Sequence, residues 1–188
     1  MKIYETRTAP NPRRVRMFMA EKGLLDKAEF VEIDIQKGEN LTPEFVARNP
    51  MKKVPVMELD DGTCIAETMA ICRYFEEAYP DTPKLMGETA PEKAQVEQWL
   101  RWLDFYFFLP TGMCFQHTTG YFKDRMNPIK AWGEACGVRM WGVTQFSSST
   151  LSPIRSYADS SPPRHRIVVS KKDMLFILWK LSEVRTCH

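Results

Sequence analysis

The segment from Asn49 to Tyr79, NPMKKVPVMELDDGTCIAETMAICRYFEEAY, constrains the fold more than any other part of the chain. Val56-Met57-Glu58-Leu59 and Thr63-Cys64-Ile65-Ala66 are two short β-like runs, and Gly62 in Asp60-Asp61-Gly62 between them supplies the positive φ that a tight hairpin needs. After the hairpin, Ile71, Phe75, Ala78 and Tyr79 recur at helical spacing. That pattern gives a helix with one buried face and puts Glu67 and Thr68 at its N-terminus. Unpaired N–H groups and the positive end of the helix dipole make such a position receptive to a carboxylate. Before the hairpin, Val54-Pro55 lacks one amide donor, and an X-Pro bond carries only a modest cis penalty. A cis bond there would turn the Val54 backbone outward.

The preceding residues complete one α/β unit. Lys2 to Glu5 reads as a strand, Thr6 to Asn11 as a loop, and Pro12 as the first helical residue with Asn11 as its N-cap. Val15, Phe18, Met19 and Lys22 share one face of that helix, and Gly23 stops it. Arg13, Arg14 and Arg16 lie largely elsewhere and oppose the dipole, so they form either a solvated basic face or a place where an anion docks. Glu29 to Ile35 alternates as a second strand, and Thr42-Pro43-Glu44 opens a short helix. The order β-α-β-α-β-β-α predicts a mixed sheet covered by helices over residues 1–80, with 81–91 as a linker by its Pro and Gly content.

Beyond the linker, residues 92–137 read as part of an all-α domain. From Pro91 a helical pattern runs for about six turns. Val96, Trp99, Leu100, Leu103, Tyr106 and Phe107 lie on one face and Trp102, Phe105 and Leu109 on another, and Pro110 should kink or end the helix. Two apolar faces need two partners: one covers a core, and the other meets a second subunit or walls an apolar substrate. Asn127 to Cys136 resumes a helical pattern. Residues 138–188 then turn rich in Ser and Pro, as in Ser147-Ser148-Ser149 and Ser160-Ser161-Pro162-Pro163, and read as an atypical, poorly ordered tail. Met174 to Trp179 within it is an adventitious apolar run prone to aggregate.

Composition narrows the function classes. Lys+Arg 26 against Asp+Glu 24 demands neither nucleic acid nor an anionic membrane as partner. MKIYETRT carries charges where a signal peptide needs an apolar core, and no apolar run approaches the ~18 residues of a membrane span, so a soluble cytoplasmic protein is expected. The 5 cysteines form no C-x-x-C pair, which suits reduced thiols, and the 3 histidines are too scattered for a metal site. Cys64 and Cys72 read as small core residues rather than nucleophiles, and His117 as structural or exposed rather than a base.

The motifs N-P-x-x-K-V-P-V, D-G and E-T-x-A-I-x-R-Y-x-E resemble the glutathione-binding half of glutathione transferases, bacterial-type and cytosolic, over residues 1–136. The resemblance implies a thioredoxin-like N-terminal domain, an all-α C-terminal domain that is incomplete here, and glutathione as co-substrate without a metal. It implies that Glu67 and Thr68 hold the γ-glutamyl end, that Val54 pairs its main chain with the cysteinyl residue, and that Lys53 meets the glycyl carboxylate. Asn40-Leu41 departs from the family, many of whose members carry a basic residue there. The residue that activates the thiol in the family's Ser-type and Cys-type classes falls at Ala9, which has no donor. Asn11 resembles the asparagine whose amide addresses the sulfur in some bacterial classes, with Thr8 or a backbone N–H as second donor. An N-cap role competes for the same Asn11 side chain. The activity implied is conjugation of glutathione to an electrophilic small molecule, in detoxification, by a homodimer formed through the helix opened by Glu67 and the long helix after it. Glutathione-dependent disulfide or peroxide reduction, a non-catalytic glutathione-binding module, and an inactive product with a defective second domain are the alternatives. Family members continue past residue 137 with a long helix and a buried one opened by a capping box. Ser156-Tyr157-Ala158-Asp159 matches that box in letters, but Pro162 and Pro163 would break the helix. The change is read as a frame change or aberrant splice near residues 138–146, which translating the nucleotide sequence in the other frames would test.

Overall fold

The computed structural model of the chain describes residues 1–139. It divides into two compact units, Met1–Leu85 and a second that begins at Met86. The first contains β1 (Lys2–Glu5), α1 (Pro10–Glu21), β2 (Glu29–Glu32), α2 (Pro43–Arg48), β3 (Val56–Glu58), β4 (Cys64–Ala66) and α3 (Thr68–Ala78). Its sheet order is β2-β1-β3-β4. β1 runs parallel to β2, while β3 is antiparallel to both β1 and β4. This is the thioredoxin-like arrangement that the resemblance implies.

Alternation along the strands assigns the two faces. Tyr4 and Val56, paired in register, cluster with Phe45 of α2 and with Val31, Ile33, Val54 and Ala66. Ile3 and Met57, also paired, point to the opposite face and are fully buried, as are Val15 and Met19 of α1 and Ile71 and Phe75 of α3. Each such side chain contributes about 2 kcal/mol of apolar burial.

Three boundaries differ from the sequence reading. α1 begins at Pro10 with Ala9 as N-cap, so Asn11 is the second helical residue and its side chain makes no cap. The first four N–H groups of a helix have no intrahelical acceptor, so Pro10 and Pro12 both fit the first turn without cost, and the first helical bond runs from Arg13 N to the Ala9 carbonyl at 3.3 Å. β2 ends at Glu32 rather than Ile35 because Asp34 Oδ1 accepts from Gln36 N and Lys37 N, at 2.9 and 3.1 Å, and turns the chain. In the second unit, helix α4 (Ala90–Leu103) opens with a capping box between Thr89 and Glu92. It passes through a π-helical turn at Asp104–Phe108 into α5 (Leu109–Thr118). Pro110 therefore falls in the first turn of a renewed helix, where its missing N–H is tolerated. Residues 130–139 are helical as well. The Ser-Pro-rich tail from residue 140 on, with Ser156–Asp159 and Met174–Trp179, lies outside the described residues.

At the far end of the first unit, Lys22 is buried, as its place on the α1 core face suggests. Its Nζ donates to Glu76 Oε2 at 2.8 Å and to the Pro83 carbonyl at 2.9 Å, while Glu76 Oε1 accepts from Leu85 N at 2.9 Å. Residues 83–85 are thus hydrogen-bonded to the C-terminal ends of α1 and α3. Among the described residues, no helix is long and apolar enough to cross a membrane, and no group of His, Cys, Asp and Glu is arranged to hold a metal ion.

Candidate functional site

Strand register gathers the predicted residues at one end of the sheet. Val56 pairs with Tyr4 of β1 and with Ala66 of β4, so Val54, the loop after Glu5 and the Glu67-Thr68 pair all leave the sheet on the same side. α1 and α3 both start from this end. A hydrogen bond links their N-termini: the buried Thr68 hydroxyl donates to the Asn11 carbonyl at 3.4 Å.

Glu67 is the N-cap of α3 at φ 72 and ψ 126, a conformation that L residues rarely adopt, and its side chain makes no capping bond. It is exposed, as are Thr8, Asn11 and Lys53, whereas Val54 is half-buried. The Val54-Pro55 bond is cis, as the sequence allows. Thr8 is one residue before Ala9, in the loop closed by Ala9 N donating to the Thr6 carbonyl at 2.9 Å. Since Asn11 does not cap α1, the competition for its side chain is removed.

The basic face of α1 resolves into separate environments. Arg16 donates to the Glu5 carboxylate and to the Arg7 carbonyl, and Arg14 Nη2 contacts Met69 Sδ at 3.3 Å on α3, while Arg13 is exposed. Arg14 and Arg16 are therefore held against the protein rather than fully solvated.

Two asparagines that the sequence reading left without a site role support the Val54 loop. Asn49, the C-cap of α2, is 2% exposed; its Nδ2 donates to the Lys53 carbonyl at 2.8 Å and its Oδ1 accepts from Met51 N at 3.0 Å. Asn40, 8% exposed, donates from Nδ2 to the Lys52 carbonyl at 2.7 Å. Lys52 between them has φ 58, again rare for a residue with a side chain. For Asn49 the available signal was Asn before Pro at a helix end, a place where the amide side chain bonds nearby backbone.

The remaining candidates are structural in their contacts. Burial pushes the Cys72 thiol up to about 12, with the Arg14 charge acting in the opposite direction. Burial, with the Glu58 charge adding to it, also raises the half-buried Cys64 thiol. Neither supplies a ready thiolate. His117 Nδ1 accepts from Ile129 N at 2.9 Å and so fastens the end of α5 to the following segment.

Comparison with known proteins places this geometry. The sequence pattern described as glutathione S-transferase, N-terminal domain, matches residues 8–78. A crystal structure of Gtt2 from Saccharomyces cerevisiae is similar at 31% identity and a TM-score of 0.80, covering 98% of this chain and 88% of that one. The chain belongs to the glutathione S-transferase family. A glutathione S-transferase domain-containing protein from Marinobacter aquaeolei is similar at 36% identity and a TM-score of 0.76, covering 81% of this chain and 75% of that one. Glutathione S-transferase 2 of Saccharomyces cerevisiae is 43% identical over 119 residues, 63% of this chain and 51% of that protein. The chain thus spans about half the length of the curated glutathione S-transferases it matches.

Proposed function

We propose that this chain binds glutathione at the shared end of its sheet, stabilises the thiolate, and conjugates it to an electrophilic small molecule. The observation that carries the reading is the 3.4 Å bond from the Thr68 hydroxyl to the Asn11 carbonyl, which sets the positive N-terminal ends of α1 and α3 side by side. In this reading Glu67 answers the ligand's ammonium and Thr68 its γ-glutamyl carboxylate. The Val54 main chain pairs with the cysteinyl residue in strand fashion, and Lys53 meets the glycyl carboxylate. Asn40 donates inward to the Lys52 carbonyl, which supports Lys53 rather than residue 40 as the glycyl contact.

The chemical task is ionisation. A thiol of pKa about 8.5 is only a few per cent ionised at pH 7, and each unit of lowering requires about 1.36 kcal/mol of preferential anion stabilisation. The Asn11 amide, with Thr8 or a first-turn N–H as second donor, is our assignment for that stabilisation. Exposed Trp102, Phe105, Tyr106 and Leu109 supply apolar surface of the kind an electrophile or a second copy of the chain would cover. The reading extends to a cytoplasmic homodimer acting in detoxification.

The donor-free Ala9 at the N-cap of α1 favours a second reading, in which the same site binds glutathione without conjugating it, or uses it to reduce a disulfide or peroxide. Thermal unfolding with and without glutathione tests binding, because a native-state ligand must raise the midpoint. Turnover of an aryl halide against that of a small disulfide separates conjugation from reduction, and retention on immobilised glutathione without turnover would favour the binding module. Thiolate absorbance of bound glutathione in Asn11→Ala tests the sulfur role: the expected result is a thiol pKa shifted back toward 8.5, and an unshifted value would refute it.

A further inference from the structure

We infer that Asn49 and Asn40 are positioning residues that aim two consecutive backbone amides, those of Lys53 and Val54, toward the bound ligand. The inference rests on the glutathione reading above and adds the residues that set its main-chain contacts.

A trans peptide group is planar, and its C=O and N–H point in opposite directions. The only cis bond among the described residues is Val54-Pro55, so the two peptide groups before Val54 are trans. The Lys53 carbonyl is drawn onto Asn49 Nδ2 at 2.8 Å, and the N–H in the same plane, that of Val54, therefore points away from Asn49. The Lys52 carbonyl is drawn onto Asn40 Nδ2 at 2.7 Å, so the N–H of Lys53 points away from Asn40. Both asparagines are buried, at 2% and 8% exposure, so the two amides are turned away from that buried side.

The turn is held at further points. Asn49 Oδ1 accepts from Met51 N at 3.0 Å, and the Asn49 carbonyl accepts from Lys52 N at 2.9 Å. Lys52 is kept at φ 58 within this net. A residue with a side chain is strained there, and the surrounding bonds must overcome that strain. Two adjacent outward N–H groups suit a ligand's peptide carbonyl or carboxylate, and preorganisation spares the ordering cost on binding. The asparagines act on the amides through the Lys52 and Lys53 carbonyls, from the buried side, so their effect belongs to affinity and not to the chemical step.

The test is titration calorimetry of glutathione into the full chain, wild type beside Asn49→Asp and Asn40→Asp. Asn49→Asp keeps the acceptor for Met51 N but sets a carboxylate oxygen against the Lys53 carbonyl. The expected result is a Kd raised ~10-fold, as for one oriented hydrogen bond, with kcat at saturating glutathione changed by less than about twofold. Should Asn49→Asp fail to fold, Asn40→Asp puts the same question to the neighbouring amide. Backbone ¹⁵N shifts of Lys53 and Val54 report whether the amides have turned. Variants that unfold at lower temperature but bind glutathione with the wild-type Kd would overturn the inference and leave the functional reading standing. A wild-type chain that does not bind glutathione would overturn both.

Discussion

Glu58 on β3 joins three elements, because its Oε2 accepts from the Tyr4 hydroxyl of β1 at 2.8 Å and from Arg48 Nε of α2 at 2.7 Å. The guanidinium also lies over the Tyr4 ring, 4.6 Å from its centroid. The hydrogen bonds from Arg48 and then Tyr4 hold the Glu58 carboxyl below its ordinary value of 4.5, while burial and the bond to Glu58 raise the Tyr4 phenol. A depressed folded pKa means that this stabilisation is present above the unfolded value and is lost as pH falls through the folded one. The pair is about 30% exposed, so its weight is on the order of 1 kcal/mol. Urea unfolding should show Glu58→Gln less stable than the parent by about that amount at pH 7, with the gap closing as the pH falls below the ordinary value of 4.5 and through the lowered one. A gap that stays constant with pH would show that the carboxylate charge contributes nothing. None of this was legible in the sequence, where Glu58 is one polar letter in an alternating strand. Its partners lie 54 and 10 residues away, and only the sheet register brings them together.

Elements were far more legible than their ends. Periodicity and turn chemistry located each strand and helix of the first unit, because apolar spacing, Thr42 before Pro43 and Gly62 in the hairpin all act locally. The start of α1 was misplaced because Pro10 and Pro12 are both admissible in a first turn, so Asn11 looked like the cap. The π-helical turn at Asp104–Phe108 was not legible either, since it carries an apolar pattern that an α-helix would also show. One residue outside the regular elements has a firm expectation. Gly87 sits at φ +85, and a Cβ there would lie 2.7 Å from Lys93 N in the first turn of α4. Gly87→Ala should therefore destabilise the second unit by roughly 2 kcal/mol, from strain plus the backbone clash, and lower the thermal midpoint. An unchanged midpoint would mean that the Thr89 capping box tolerates a displaced entry strand.

On the scale of the whole molecule, the buried Lys22–Glu76 pair is, among the described residues, the polar feature with most at stake. Its exposures are 0% and 5%, and both partners also hold backbone groups of residues 83–85. Removing one partner leaves an uncompensated buried charge, so Glu76→Ala should cost about 3–5 kcal/mol by equilibrium unfolding, more than an exposed ion pair among the described residues would. A loss below about 1 kcal/mol would show that water reaches the lysine. The same arrangement bears on how such chains exchange parts during evolution. Recombination that joined this sheet unit to a different helical partner would have to cross over after Leu85. A junction before Pro83 would part the ammonium and the carboxylate from the backbone groups they are buried with, so the seam for modular exchange lies several residues past the end of α3.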